Sequence, residues 1–206
     1  MNFPGATYLA ESKPYQLYIA TRCGFQVPAT LATNDAGRIR DAFPNAVVIK
    51  SVDTVLVREG DDCLFTYTTV SPSNELHDNA VAAVPLLAQR ALQDKTDLRV
   101  TVVGEEVFAV RILSKGSGIA GDWRLVPKHD LDYQDTPLNH DMIGRCRLLT
   151  RRLGLTFAAI DLIETSDGTF FIEVNPTGEW GWLSTAARPI DSAIASWLAN
   201  PPNGGD

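Results

Sequence analysis

Two carboxylates and one amide stand out in the last third of the sequence, because they interrupt apolar segments. Asp161 lies in AAIDLIE, and Glu173 and Asn175 lie in FFIEVNP. Unpaired charges in such strands are unfavourable, so these groups need a compensating partner. Carboxylate and amide oxygens suit Mg²⁺, which completes its shell with water and substrate phosphates. The three residues therefore predict a magnesium site. The alternative is a pair of buried core carboxylates bridged to an arginine.

The segments that carry these residues predict a β-hairpin. Glu173 and Asn175 are two positions apart in a strand and so share one face. Asp161 joins that face if it pairs opposite Glu173, which leaves the three-residue turn 166–168 with Gly168 in the left-handed position. A two-residue turn at 167–168 would put Asp161 on the other face. The turn sequence therefore permits a common face for the three oxygen ligands without fixing it.

Three cations also lie in apolar strands. Lys50 ends AVVIK, Arg99 lies in DLRVTVV, and Arg111 ends EVFAVR. Alone, each is typical of a strand-edge charge that reaches solvent. Together with a magnesium site, they fit the cationic clamp that phosphoryl transfer requires. The sequence contains neither GxxxxGK[ST] nor GxGxxG, the two commonest nucleotide-binding loops.

Other catalytic patterns are missing. The histidines at 77, 129 and 140 show no metal-ligand spacing, and there is no GxSxG nucleophile motif. The tryptophans of EWGWL, Trp180 and Trp182, fit peptide contacts and an ordinary core equally well.

Composition limits the class of protein. The 206 residues include 18 basic and 25 acidic side chains, for a formal net charge of −7. This length suggests one domain or two small subdomains. The acidic balance argues against a general nucleic-acid binder. The chain shows no signal peptide or membrane-spanning run, and its cysteines (Cys23, Cys63 and Cys146) form no CxxC pair. We expect reduced thiols and a cytoplasmic protein.

The elements that must position these residues alternate between helix and strand. Helices are predicted over 13–23 (capped by Ser12), 35–43, 139–153 and about 187–200. Strands are predicted over 46–52, 54–59, 63–70, 97–104, 106–114, 155–164 and 169–176. Residues 1–12 and 71–79 are expected to be irregular, and the tail 200–206 disordered. The three glycines of SKGSGIAGDW indicate a mobile or ligand-facing loop. Because hairpins join most strands, the pattern favours an α+β fold with antiparallel sheets.

The sequence resembles the ATP-grasp ligases, and among them the peptide maturases of the microviridin, or graspetide, type. The resemblance rests on AESKPYQLYIATRCGFQVPATLATND, KTDLRVTVVGEEVFAVRI, GDWR and FIEVNPTGEWGWL, which occur in the family's order from about residue 7 to about 198. It implies an ATP-grasp fold in which two α+β subdomains, 1–88 and 89–206, hold ATP between them.

The resemblance also implies roles for individual residues. Those that would contact ATP are Lys13, Lys50, Gln89, Arg90, Ala91, Leu92, Asp97 and Ile172, with 89–92 as the hinge at adenine and Asp97 at the ribose. Those that would act on the phosphates and the acyl-phosphate are Arg99 and Arg111. Those that would hold Mg²⁺ are Asp161, Glu173 and Asn175. Those that would face the acceptor peptide are Arg124, Trp180 and Trp182. Several relatives place an arginine where this chain has Ala159, so Arg99 or Arg111 must supply that charge.

The implied activity is ATP- and Mg²⁺-dependent ligation. An Asp or Glu side chain of a precursor peptide would become an acyl-phosphate and then an ester or amide, closing a macrocycle. The alternatives are a glutathione synthase-like ligase that adds a free amino acid, and a non-catalytic nucleotide-binding module. Many members carry a separate domain before the ATP-grasp portion, and this chain starts at about the residue where that portion begins. The implied partners are therefore ATP, an acidic precursor peptide, and a separate leading domain or a second copy of the chain.

Overall fold

The chain folds into antiparallel sheets flanked by helices, in a computed structural model that describes residues 1–52, 56–59, 62–65 and 69–200, with the backbone alone at 56–59, 62–65 and 69. The remaining residues lie outside this description, among them parts of the predicted strands 54–59 and 63–70 and the tail 201–206, as does the side chain of Cys63. The helices are α1 Pro4–Ala10, α2 Lys13–Arg22, α3 Ala36–Ala42, α4 Asp78–Ala82, α5 His140–Arg152 and α6 Ile190–Ala199. The strands are β1 Thr30–Thr33, β2 Ala46–Ser51, β3 Leu56–Glu59, β4 Asp62–Phe65, β5 Thr69–Pro72, β6 Leu86–Arg90, β7 Thr96–Val103, β8 Glu106–Ser114, β9 Leu131–Asp135, β10 Phe157–Thr165 and β11 Gly168–Asn175.

Two sheets form separate layers, which confirms the α+β class. The smaller has the order β1-β6-β2-β5 and the larger the order β11-β10-β7-β8-β9, while β3 and β4 pair as a hairpin. Every pairing between these strands is antiparallel. The smaller sheet packs on Ile39, Phe43 and Val81, and the larger has its own apolar core on each face. The chain therefore has two sheet-based lobes with distinct cores.

Helices α1, α2 and α5 cover one face of the larger sheet, so the first 22 residues pack with the later half of the chain. The side chain of Gln16 in α2 substitutes for a neighbouring strand at the β11 edge. Its Nε2 donates to the carbonyl of Val174 at 2.8 Å, and its Oε1 accepts from the Val174 amide at 2.9 Å. These bonds satisfy backbone groups of an edge strand that would otherwise be open. Helices α1 and α2 belong to the predicted subdomain 1–88, but they pack on the larger sheet, which belongs to the predicted subdomain 89–206.

The predicted helices form with their ends shifted by a few residues. Asp35 and Asn139 cap α3 and α5 by accepting from the amides of Arg38 and Met142, at 3.1 and 2.8 Å. Ser12 makes no such bond at α2. The prediction that residues 1–12 are irregular was wrong, since α1 forms there with Pro4 at its first turn, where a missing amide hydrogen is harmless.

The hairpin of β10 and β11 places Asp161 opposite Glu173, which is the pairing that the sequence permits. The turn and the register that produce this pairing differ from those predicted. The predicted three-residue turn was wrong. The turn has two residues, 166–167, and Gly168 pairs with Thr165 at φ 123°. The ladder then shifts by one residue, because Ile172 forms a β-bulge next to the Asp161–Glu173 pair. Without this extra residue Ile172 would face Asp161, and Glu173 would turn toward the helices.

Candidate active site

A row of charged residues crosses three strands on the face of the larger sheet away from α2 and α5. Glu173 of β11 lies opposite Asp161 of β10, which in turn lies opposite Arg99 of β7. Asp97 and Asn175 share this face because each is two positions from a member of the row. The alternate residues, such as Leu98 and Ile160, pack into the helix-covered core. Strand alternation thus keeps the charged groups on one side of a buried sheet.

Two arginines bridge the carboxylates. Arg99 Nη1 donates to Asp161 Oδ1 at 2.8 Å, and this pair is almost fully buried. Arg124 Nη2 donates to Asp161 Oδ2 at 2.8 Å and to Glu173 Oε1 at 3.0 Å. Arg124 belongs to a single 3₁₀ turn, Trp123–Leu125, that Asp122 caps by accepting from the Arg124 amide at 3.0 Å. The connection 115–130 between β8 and β9 therefore delivers one guanidinium to both acids.

The electrostatics of this cluster follow from burial and pairing. Burial by itself would raise the pKa of Asp161, but Arg99 and Arg124 outweigh it and hold the pKa below its ordinary value. Burial works against the charge of Arg124, yet Asp161, Glu173 and Asp122 raise its pKa overall. At neutral pH Asp161 is therefore a carboxylate and Arg124 is cationic.

Lys50 reaches the same region from the end of β2 in the smaller sheet. The residue is only 9% exposed, and no ion pair between described residues includes it. Burial lowers its pKa, with Glu173 acting in the opposite direction. A buried ammonium without a paired acid is unfavourable, which makes this position suited to an anionic ligand. Arg99 also suits an anionic ligand, because its Nε is buried without a hydrogen-bond partner among the described residues.

A cavity of about 660 Å³ opens directly onto the charged row. Glu173, Asn175, Arg99, Lys50 and Lys13 line one end of it. The other end is aromatic. The ring centroid of Trp182 lies 4.7 Å from that of Tyr133 and 5.9 Å from that of Trp123. Sequence reasoning missed Tyr133 and Trp123. Trp123 stands in the GDWR segment, in which only Arg124 was given a role, and β9, which carries Tyr133, was not predicted.

A second cavity, of about 850 Å³, lies along the segment that follows β6. The hinge residues Gln89–Leu92 line it together with Asp97, Ile163 and Ile172. Ala91 and Leu92 form no backbone hydrogen bond with the rest of the described chain, so their amides and carbonyls are open to a ligand. This volume lies within the range of ligand pockets. The bulged Ile172 and its neighbour Ile163 supply an apolar wall.

The glycine-rich loop 115–121 faces this second cavity. Gly118 passes so close to the segment after the hinge that a Cβ there would lie 2.0 Å from the carbonyl oxygen of Lys95. Lys95 in turn is ion-paired with Asp97, whose pKa is raised by burial although Lys95 opposes this shift. Only glycine fits this approach at position 118. Lys95 was missed by sequence reasoning because a lone lysine beside an acid carries no signal.

The two cavities share a wall formed by Lys50 and by Asp122, Trp123 and Arg124. A ligand that extends from the hinge toward the carboxylates would pass this wall. The arrangement suits an elongated molecule with a planar ring at the hinge and anionic groups at Lys50 and Arg99.

The structure does not bring every predicted site residue together. Arg111 lies on the opposite face of the larger sheet, opposite Leu98, where its half-exposed side chain pairs with Glu164 at 3.0 Å. Trp180 packs into the core beneath α6, whereas Trp182 lines the smaller cavity. Arg90 stacks on Phe170 at 5.4 Å beside the hinge. Gly178 packs over Ala159, and a Cβ on Gly178 would lie 2.8 Å from Arg99 Nη2, so the Arg99 guanidinium lies beside Ala159.

The donor set fits a divalent cation. Among the described residues no group of three His, Cys, Asp or Glu side chains forms a metal cluster, but the set here comprises two carboxylates and an amide. The Arg124 guanidinium bridges both carboxylates, and a metal ion that binds the same oxygens would replace it.

Comparisons with known proteins give matches only at the level of structure, since no protein-family model and no curated protein matches the sequence. A RiPP-associated ATP-grasp ligase of Chryseobacterium gregarium, solved with ADP and a leader and core peptide, superposes with a TM-score of 0.82 at 30% identity. The match covers 96% of this chain and 62% of that one. The macrocyclase MdnB of Microcystis aeruginosa MRC gives 0.72 at 27% identity, covering 94% and 61% of the two chains. The macrocyclase MdnC of the same organism, bound to precursor peptide MdnA, gives 0.76 at 24% identity, covering 95% and 63%.

This chain thus spans 62% of the length of the Chryseobacterium ligase. Among the described residues, no helix is both long and apolar enough to span a bilayer. The two-lobed architecture and the resemblance found in the sequence agree with these superpositions: the chain has the ATP-grasp fold and is similar to the ATP-grasp ligases that modify ribosomal peptides.

Proposed function

We propose that this chain is an ATP- and Mg²⁺-dependent ligase that activates an Asp or Glu side chain of a peptide as an acyl-phosphate. A hydroxyl or amine then displaces the phosphate and forms an ester or amide, which closes a macrocycle. The observation that carries the proposal is the row Glu173–Asp161–Arg99, which meets the buried Lys50 between two ligand-sized cavities. The fold of peptide ligases, one of them solved with ADP, supports the same assignment.

Different residues along the two cavities bind different parts of the nucleotide. The open backbone of 89–92 and the apolar surface of Ile172 receive adenine, and Asp97 accepts from a ribose hydroxyl. Lys50 and Arg99 hold the phosphates, with Lys13 at the same end of the smaller cavity. Asp161, Glu173 and Asn175 hold Mg²⁺, which when bound neutralises charge on the phosphate oxygens.

The chemistry needs no enzyme nucleophile. The acceptor carboxylate attacks the γ-phosphate, ADP leaves, and the attacking hydroxyl or amine loses its proton when phosphate departs. Arg99 faces the reacting phosphate, while Arg111 lies on the other face of the sheet and takes no part. Arg124, together with the aromatic wall that contains Trp182, faces the acceptor peptide. The protein contributes position and the exclusion of water, which would hydrolyse the intermediate.

Mass spectrometry tests the reaction and its class. The purified chain is incubated with ATP, Mg²⁺ and a set of synthetic peptides that contain Asp or Glu together with Ser, Thr and Lys. Macrocyclisation removes one water per bond, whereas addition of a free amino acid adds the mass of a residue. We expect ATP-dependent loss of water, abolished by Glu173→Gln and retained by Glu164→Gln, whose carboxylate lies on the opposite face. Products that form equally well without ATP, or with Glu173→Gln, would contradict the proposal.

A further inference from the structure

We propose that the smaller cavity selects an acceptor carboxylate that has a large apolar side chain, preferably aromatic, two residues away in the peptide. The inference deepens the proposed function and rests on it for the role of the carboxylate. It assigns to Trp182, Tyr133 and Trp123 a recognition role that acts on a neighbour of the reacting residue.

The aromatic wall, formed by Trp182, Tyr133 and Trp123, leaves apolar surface open to the smaller cavity. Trp182 is 37% exposed and faces the cavity, with Tyr133 at 4.7 Å and an interplanar angle of 53°, and Trp123 at 5.9 Å and 49°. Val126 and Leu131 extend the same apolar surface. Large aromatic surfaces left open in a concave site are favourable places for an apolar group. The exposed part of Trp182 is where a further ring can pack.

The charges of the cavity select an anion. Five cationic and three acidic side chains line it, in a chain whose overall charge is −7. The cations are Lys13, Lys50, Arg99, Arg124 and Lys128. The cationic and aromatic ends meet at Arg124, whose guanidinium carbon lies 5.0 Å from the centre of the Trp123 ring. A ligand that fills the cavity therefore presents a carboxylate and an apolar group to adjacent surfaces.

The spacing follows from the geometry of an extended peptide. Side chains of adjacent residues project to opposite sides, whereas those at positions i and i+2 project to the same side, roughly 7 Å apart. A carboxylate at the cationic end and a ring against Trp182 must leave the peptide on one side. The ring therefore belongs two residues before or after the acceptor, and not to its immediate neighbour.

Calorimetric titration with synthetic peptides tests this assignment, in the presence of Mg²⁺ and a non-hydrolysable ATP analogue. The peptides are acetylated, amidated heptamers of serine with a central glutamate. 4-Fluorophenylalanine stands two residues before or two residues after the glutamate, or next to it, and alanine replaces it in the control. We expect a roughly tenfold lower Kd for one of the two i±2 peptides than for the alanine control. We also expect a shifted and broadened ¹⁹F signal on binding.

Variants locate the effect. Trp182→Ala should remove the gain from the ring, and Trp182→Leu, which keeps apolar bulk, should retain part of it. Tyr8→Ala, which removes an aromatic ring that is 80% exposed on α1, should leave the gain intact. No gain from the ring, the same gain in Trp182→Ala, or an equal gain when glutamine replaces the glutamate would each overturn the subsite.

The outcome is separable from that of the proposed function. If the ATP analogue binds and the ring gives no gain, the subsite is wrong and the ligase assignment stands. If the analogue does not bind, the ligase assignment fails, and the same titrations without nucleotide still decide whether Trp182 recognises the ring.

Discussion

At the scale of single residues, the contact between Arg124 and the two carboxylates dominates the site. Asp161 has two guanidinium partners and Glu173 shares one of them. A buried carboxylate that loses a partner keeps its desolvation penalty, so its pairs matter more than those at the surface. Arg124 therefore stabilises the ligand-free protein at the point where the proposed metal and acceptor meet.

Arg124→Ala should lower the free energy of unfolding by about 1–2 kcal/mol, a value reduced because the side chain is 33% exposed. Urea denaturation at neutral pH measures this change. Arg111→Ala is the matched control. Because it removes only a half-exposed pair with Glu164, we expect a loss of about 0.5 kcal/mol. Equal losses in the two variants would contradict the importance of the Arg124 contact.

Arg124→Ala should also bind Mn²⁺ more tightly than the wild type in the absence of nucleotide. The guanidinium competes for the oxygens of Asp161 and Glu173, so its removal frees them for a metal. Electron paramagnetic resonance of free Mn²⁺ measures the affinity. The double variant Arg124→Ala/Glu173→Gln should lose the gain. A gain that persists in the double variant would place the metal elsewhere.

At the scale of elements, the loop after β8 and the bulge in β11 shape the site. The loop approaches the segment after the hinge at Gly118 and contacts the carboxylates at Arg124. The bulge at Ile172 brings Glu173 opposite Asp161 and lines the second cavity. Neither the close approach of Gly118 to Lys95 nor the bulge at Ile172 can be predicted from the local sequence. The turn sequence allowed more than one register, and the pairing of β10 with β7 adds the constraint that fixes the strand carrying Asp161.

Gly118→Ala should displace the loop, because its Cβ would meet the Lys95 carbonyl at 2.0 Å. We expect nucleotide affinity to fall at least tenfold, together with a loss of about 1–3 kcal/mol in unfolding free energy. Gly144→Ala is the matched control: the residue lies in α5, with nothing within 4 Å of an added Cβ. That change should raise the unfolding free energy by about 0.5–1 kcal/mol and leave nucleotide affinity unchanged. Unchanged affinity in Gly118→Ala would show that the loop does not shape the cavity.

At the scale of the whole molecule, the helix layer isolates one sheet face from solvent. Cys146 of α5 is fully buried in this layer, and burial raises its pKa to about 12. A raised pKa favours the thiol in the folded state, so this contribution to stability is full below the ordinary thiol pKa of about 8.5 and falls as the pH rises toward 12.

Iodoacetamide at pH 8.5 should therefore leave Cys146 unmodified in the folded protein and alkylate it in urea. Peptide mapping by mass spectrometry measures the modification at each cysteine. Cys23, whose pKa is also raised by burial, is the internal comparison and should be protected in the same way. Rapid alkylation of Cys146 without denaturant would mean that the layer opens readily.

Much of the site could be predicted because its charged residues interrupt apolar strands. Asp161, Glu173, Arg99 and Lys50 stood out for this reason, and the structure places all four in one region. Alternation alone could not place Arg111, since the face of a strand depends on its register. Tyr133 and Lys95 carried no local signal and are brought to the cavities only by tertiary packing.

The most direct measurement is calorimetric titration of the chain with a non-hydrolysable ATP analogue and Mg²⁺, beside Glu173→Gln and Glu164→Gln. The account predicts micromolar binding to the wild type and to Glu164→Gln, and at least tenfold weaker binding to Glu173→Gln, because Glu173 lines a cavity whereas Glu164 lies on the other face of the sheet. Equal binding by the two variants, or no binding by the folded wild type, would contradict a nucleotide and magnesium site in this cleft.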